Sequence, residues 1–99
     1  MNPRKYRWSR VYESAEEELL DFLMAKQITA TRHHLESYDT QSVPAVSTLT
    51  HLWSAEGAAV VAVADQTFSL QPGDVLDIPA QSAYTITTSL SDFSWYASP

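Results

Sequence analysis

Apolar residues recur at helical spacing in one segment near the start of the chain. The face that they trace carries Ala15, Leu19, Phe22 and Leu23. Ser14 and Glu17 fit a capping box, in which the serine hydroxyl accepts from a first-turn amide and the glutamate reaches back. The pattern predicts one helix over residues 14–26.

The remainder of the chain consists of short alternating or continuously apolar runs separated by turn residues, which is typical of β-structure. The predicted strands cover residues 29–38, 46–54, 58–64, 67–70, 75–78, 84–88 and 93–97. Residues 39–44 are predicted to be a loop, and Pro72-Gly73 closes a turn because proline presets the corner and glycine accepts positive φ. About seven close-spaced strands favour a barrel or a sandwich.

Composition restricts the class of protein. A chain of 99 residues with 44% hydrophobic residues supports one domain. It contains no cysteine, which excludes disulfides, thiolate metal sites and cysteine nucleophiles. No apolar run approaches the roughly 20 residues that span a bilayer, and the basic N-terminus lacks the apolar stretch of a secretory signal. We therefore expect no membrane partner and a cytoplasmic location.

Charge is distributed unevenly. Residues 1–12 form a basic arm that holds four of the six basic residues, whereas all twelve acidic residues follow it. Such an acidic body repels phosphate backbones, so nucleic acid is not an expected partner. We expect the arm to pack against the acidic body of its own or a neighbouring subunit.

Residues 70–84 carry the most specific motif of the chain. Gly73 and Pro79 flank five residues, and this spacing resembles the second motif of the cupin β-barrels. Residues 50–57, which end in Gly57, resemble the end of the first cupin motif. The resemblance covers residues 13–97 and is nearest the ethanolamine-utilisation and ureidoglycine aminohydrolase-like cupins. It implies a mainly β fold, a small cupin-type β-barrel (jelly roll) with one N-terminal α-helix, in which residues 13–99 form a single domain.

The resemblance also implies where a cupin metal site would lie. The family's glutamate falls at Thr50, its last histidine falls at Tyr84, and its usual second glycine falls at Gln81. Its first two histidines should lie within residues 43–46, where there is none. Tyrosine ligates metals far less readily than imidazole. We therefore expect degenerate metal motifs, with no metal and no other cofactor.

The three histidines offer little replacement. His33 and His34 are adjacent, so on a strand they face opposite sides. His51 follows the family's inward glutamate position and should face away from the interior, alongside Leu49 and Trp53. One metal cluster stays open, in which His33 or His34 joins Tyr84 with Asp77 or Glu36. Asp74 and Asp77 themselves are interpreted as a turn-capping and a solvent-facing carboxylate.

Strand alternation predicts a barrel interior of mixed character. The candidate ligand-binding residues on its walls are Thr48, Thr50, Leu52, Tyr84, Ile86 and Thr88. Such a lining suits a small neutral ligand, and it equally suits a packed core whose hydroxyls bond backbone. The outward set that contains Trp53 requires cover from the helix or another subunit, and the resemblance implies a homodimer.

The sequence thus favours a non-catalytic protein that binds a small molecule or has a structural or regulatory interaction role. The alternative is a cupin enzyme, an isomerase or a metal-dependent dioxygenase, with substituted metal ligands.

Overall fold

The computed structural model describes residues 2–10 and 16–99. In these ranges it has one helix, α1 (Glu16–Ala25), and nine strands. The strands are β1 (Arg4–Arg7), β2 (Thr31–Leu35), β3 (Thr40–Val43), β4 (Thr50–Glu56), β5 (Ala59–Val63), β6 (Gln66–Leu70), β7 (Asp74–Ile78), β8 (Tyr84–Thr87) and β9 (Phe93–Ser98).

The strands form two antiparallel sheets. The five-stranded sheet has the order β1-β7-β4-β9-β2, and the four-stranded sheet has the order β3-β8-β5-β6. Neighbours in space are therefore mostly distant in sequence, as in a double-sheet jelly roll. The predicted mainly β fold with one helix near the N-terminus is confirmed.

A single hydrophobic cluster fills the space between the sheets. Its buried members are Leu35, Leu52, Ala59, Val61, Val63, Leu70, Leu76, Ile78, Tyr84, Ile86, Phe93 and Trp95. Register explains their common direction, because Leu52 lies opposite Leu76 on one side and Ala97 on the other. Residues directly opposite each other in a ladder share a face of the sheet. Side chains rather than a large internal cavity therefore occupy the barrel.

Helix α1 covers the outer face of the five-stranded sheet. Leu19 and Leu23 pack there with Trp53, Val75 and Tyr96 in a second buried cluster. Of the two covers expected for the outward tryptophan, the helix or another subunit, the structure shows the helix within the chain. The proposed cap at residue 14 lies outside the described residues. Within the described ranges, no helix has the length and apolar character needed to cross a bilayer.

The basic arm contributes strand β1 to the edge of the five-stranded sheet. It pairs with β7, so that Arg4 lies opposite Asp77 and Arg7 opposite Asp74. The Arg7 guanidinium lies 2.9 Å from the Asp74 carboxylate, and the Arg4 guanidinium lies 3.7 Å from that of Asp77. Packing of the arm against acidic groups is confirmed, on its own chain. The predicted domain boundary after residue 12 lies outside the described residues.

Lys5 joins the two sheets along this edge. Its ammonium group donates to the Ser69 backbone carbonyl of β6 at 3.2 Å. The N-terminal strand therefore connects one edge of each sheet.

Two sequence predictions about strands are wrong. Residues 40–43, predicted to be a loop, form β3, whose backbone pairs with β8 from Thr40 to Val43. Residues 46–49 lie outside any strand, because β4 begins at Thr50. Strand β3 pairs on one side only, and its outer face is exposed, so its sequence can be polar. A search for hydrophobic alternation therefore does not detect this strand.

Candidate functional site

Most of the predicted interior residues do lie between the sheets, but Thr48 does not. Leu52 and Ile86 are fully buried, and Tyr84 is 8% exposed. Thr50 is half-buried at the start of β4. Thr48 is exposed in the bend before that strand. Its predicted inward position is wrong because the alternation of β4 does not extend back to it.

The hydroxyl of Thr88 is already used by the backbone. It donates to the carbonyl oxygen of Glu36, and it accepts from the amide of Asp39 at 3.0 Å. Thr88 thereby fastens the turn between β2 and β3 to the end of β8. Of the two interpretations of the interior hydroxyls, this residue supports a packed core.

Tyr84 occupies the position of the family's last histidine. Burial raises the pKa of its phenol above the ordinary value of 10.0. A raised pKa keeps the phenol protonated near neutral pH, whereas metal binding requires the phenolate. The residue that would replace the histidine is therefore a poor ligand in this environment.

The three imidazoles each point to a different partner. The His33 ring stacks on Trp95 with ring centroids 5.3 Å apart. The Nδ1 atom of His34 lies 2.8 Å from the Ser94 hydroxyl on the helix side of the sheet. His51 faces the same outer side, as predicted. The expectation that His33 and His34 face opposite sides is confirmed.

These directions separate the donors that a metal would need. In the described ranges, no three His, Asp or Glu side chains lie close enough together to hold an ion. The cluster left open for Tyr84 is not formed with Asp77, since that residue lies on the outer face opposite His51. Glu36 is exposed. The residues present therefore do not fit a cupin metal.

A buried polar cluster surrounds Asp77 on the outer face of β7. His51 Nδ1 lies 2.6 Å from its carboxylate, and the Tyr6 hydroxyl donates to it at 3.2 Å. Burial and the Asp77 charge both raise the pKa of Tyr6. Asp77 is 6% exposed, so the interpretation as solvent-facing is wrong. Strand β1, which the sequence did not predict, provides Tyr6 and Arg4 to this cluster.

Asp74 has the predicted capping role. Its carboxylate accepts from the Gln71 amide at 2.9 Å and closes the turn that contains Gly73. Gly73 has a φ of 96° and Gln81 a φ of 64°. Gln81 occupies a position where the family uses glycine, and its backbone keeps the left-handed conformation that glycine adopts without steric cost.

Among the residues that the structure describes, two buried polar atoms between the sheets have no hydrogen-bond partner. They are Ser54 Oγ on β4 and Trp95 Nε1 on β9. The two residues lie opposite each other in the ladder, so both side chains face the hydrophobic cluster. Burial of such groups without a partner is unfavourable. These atoms mark the least satisfied part of the interior.

The outer side of the four-stranded sheet is a second surface of interest, which we call the uncharged face. It consists of the outward side chains of Thr40, Ser42, Val60, Ala62, Thr67, Ser69, Thr85 and Thr87. Their strand neighbours, such as Val61 and Ile86, belong to the interior cluster. Alternation therefore directs these eight side chains away from the core.

Two shallow depressions lie on the uncharged face. One, of about 270 Å³, is lined by Val60, Ser69 and Thr87 among others. The other, of about 470 Å³, is lined by Ser42, Ala62 and Thr85 together with Tyr84. No residue lining either depression is charged. The sequence did not predict this surface, because residues 40–43, which form its edge strand β3, have the polar pattern of a loop.

No protein-family model and no curated protein matches the sequence. The fold does resemble solved structures. A cupin protein from Bacteroides fragilis has a TM-score of 0.63 at 15% identity, over 70% of this chain and 61% of that protein. This chain thus spans less than two thirds of that relative.

In other similar structures, this chain aligns with a larger share of the related protein. A DUF861-family protein from Thermotoga maritima has a TM-score of 0.63 at 12% identity over 97% of both chains. A predicted oxalate decarboxylase from Thermotoga maritima has a TM-score of 0.61 at 13% identity over 97% of this chain and 89% of its own. Identities this low establish the fold alone. The chain therefore has the cupin-type jelly-roll fold.

Proposed function

We propose that this protein is a non-catalytic cupin-fold module that acts through protein–protein contact, as a homodimer. The observation that carries the proposal is the separation of its imidazoles, since His33, His34 and His51 contact Trp95, Ser94 and Asp77 in turn. A cupin enzyme that uses a metal needs those donors at one point. The packed interior cluster further supports a structural role for the barrel.

Elemental analysis of the purified full-length protein tests the proposal. Cells are grown with added iron, manganese, nickel and zinc, and the protein is analysed without chelators. We expect well below one metal per chain, unchanged in Tyr84→Phe and His33→Ala. One equivalent of a metal that either substitution removes would overturn the proposal in favour of the enzyme alternative.

A small-molecule role at the depression beside Tyr84 is the second candidate. Its volume of about 470 Å³ lies within the roughly 300–1,000 Å³ of ligand sites. Thr85 lines this depression, so Thr85→Trp should occupy part of its volume. A compound that raises the melting temperature of the wild type but not of Thr85→Trp would favour this role. The absence of such a compound from a broad metabolite screen would disfavour it.

The finer family assignment is also a proposal. We place the chain with the ethanolamine-utilisation and ureidoglycine aminohydrolase-like cupins, on the order of helix, first motif and second motif in the sequence. We also propose a cytoplasmic location, in keeping with the absence of cysteine. Fractionation of cells that produce the protein would test the location.

A further inference from the structure

We infer that a second copy of this chain docks on the uncharged face, sheet against sheet, in a two-fold symmetric dimer. The inference deepens the proposed homodimer by assigning its interface and rests on that proposal. A two-fold interface brings the same surface of both copies together. The uncharged face must therefore be complementary to the same face of the second copy.

Charge selects this surface for self-association. The chain has a formal net charge of −6, so two copies repel each other overall. The eight side chains of the uncharged face are threonine, serine, valine or alanine. Like charges across an interface are strongly unfavourable. Docking on this face avoids that repulsion, while the acidic residues elsewhere disfavour other orientations.

The side chains of the face also suit burial. Val60 lies between Thr87 and Ser69 in one row of the sheet and is 42% exposed. Threonine and valine have few side-chain rotamers, so fixing them in an interface loses little conformational entropy. Threonine methyl groups add apolar surface beside Val60. The row therefore offers apolar contact at a small entropic cost.

The shape of the face includes both hollows and projecting groups. Three other large apolar side chains are exposed, namely Tyr38, Val46 and Leu90. Leu90 follows Ser89, which lines the smaller depression and whose carbonyl oxygen accepts from the Tyr38 amide. Val46 is two residues from Pro44 in the larger depression. In a symmetric pair, these exposed side chains of each copy are available to fill depressions of the other.

The size of the molecule allows a stable interface. Its longest principal extents are 31 and 30 Å. A typical specific interface buries about 800 Å² per partner, which a contact over most of one broad side would provide.

Sedimentation of the full-length protein over a range of concentrations tests the interface. We expect the wild type to sediment with twice the chain mass of 11.1 kDa. Val60→Lys places two ammonium groups in the buried contact, so its dissociation constant should rise at least ~100-fold. Met24→Lys is the matched control, since it also replaces an exposed apolar residue, one that is 76% exposed on helix α1. It should remain dimeric.

A labelling experiment tests the interface without the Val60→Lys variant. The chain has no cysteine, so Thr87→Cys and Met24→Cys each introduce a single thiol. We expect maleimide to label Thr87→Cys at least ~10-fold more slowly at dimer-forming concentration than after dilution, because interface residues lose solvent access. Labelling of Met24→Cys should be independent of concentration. Circular dichroism confirms that each variant is folded.

The outcomes separate this inference from the proposed function. A wild type that stays monomeric at all concentrations overturns both the interface and the proposed homodimer. A dimer that survives Val60→Lys and labels freely at Thr87→Cys overturns the interface alone and moves the contact elsewhere. Neither result bears on the metal content, which is measured separately.

Discussion

The Nδ1 atom of His51 lies 2.6 Å from the carboxylate of Asp77, on the side of the five-stranded sheet that faces away from the barrel. At this separation the imidazole N–H donates to the carboxylate. Tyr6 donates to the same oxygen from the edge strand β1. One buried carboxylate therefore connects β7 with both of its neighbouring strands.

Asp77→Asn should destabilise the fold by about 2 kcal/mol, because it removes a buried, charged acceptor that two partly buried donors share. The free energy of unfolding, measured with urea, gives the change directly. Asp21→Asn, on the exposed side of helix α1, is the matched control and should alter stability little. An effect of Asp77→Asn no larger than that of the control would contradict a linking role for this carboxylate.

Glu16 should stabilise the fold in a pH-dependent way. Its carboxylate accepts two hydrogen bonds from Arg32, each 3.1 Å long, and one of 2.8 Å from Tyr96. The hydrogen bonds from Arg32 lower its pKa below the ordinary value of 4.5. A carboxylate with a lowered pKa contributes stability above its unfolded pKa and loses it as the pH falls through the folded value.

Glu16→Gln should therefore cost about 1 kcal/mol at pH 7. The difference from the wild type should be constant down to about pH 5 and disappear as the solution becomes more acidic. Urea unfolding at several pH values measures it. Glu17→Gln, one residue along and exposed, should show a much smaller difference. A gap between the two proteins that persists at the lowest pH would rule out the proposed linkage.

Ser54 and Ser98 are both buried serines of the five-stranded sheet, at 1% and 2% exposure. The Ser98 hydroxyl accepts from Trp53 Nε1 at 2.9 Å, whereas Ser54 Oγ has no hydrogen-bond partner in the described part of the chain. Ser54→Ala should be neutral or stabilising, and Ser98→Ala should cost about 1–2 kcal/mol. Thermal and urea unfolding compare them. A loss above 1 kcal/mol in Ser54→Ala would instead reveal a partner for its hydroxyl inside the barrel.

Gln81→Gly should stabilise the fold by about 0.5–1 kcal/mol, since glycine relieves the left-handed backbone of a residue that has a side chain. Gln81 has a φ of 64° and its amide donates to the Val46 carbonyl at 2.7 Å. Ser82→Gly is the control, and it should destabilise because this neighbour has no positive φ. If both changes destabilise equally, strain at Gln81 is not significant.

The turns and the buried strands are the parts of the fold that the sequence predicts well. Pro72 and Gly73 have the required backbone chemistry, and the apolar run from Ala59 to Val63 forms β5. These signals are local, since they depend on a few consecutive residues. The jelly-roll arrangement of these strands was predicted from the resemblance of the two motifs, and the similar structures support it.

The edges of the sheets and their outer faces could not be predicted in the same way. Strands β1 and β3 each pair on one side, and edge strands tolerate charged and polar residues. Asp77 looked exposed because alternation cannot show that β1 and α1 cover the outer face of β7. Burial there depends on pairing between residues far apart in the chain. The uncharged face was missed because its edge strand β3 was predicted to be a loop.

The position of β9 has a consequence for how the protein is made. It lies between β4 and β2 in the five-stranded sheet. Leu35 and His51 therefore cannot pair in this sheet with Phe93 and Ser98 until β9 has been synthesised. On a ribosome that adds about 5–20 residues per second, strand β2 stays unpaired for several seconds after its synthesis. The sheet can therefore close only when residues 93–98 have left the exit tunnel. Any premature stop before them should yield a chain that chaperones or proteases intercept before it folds.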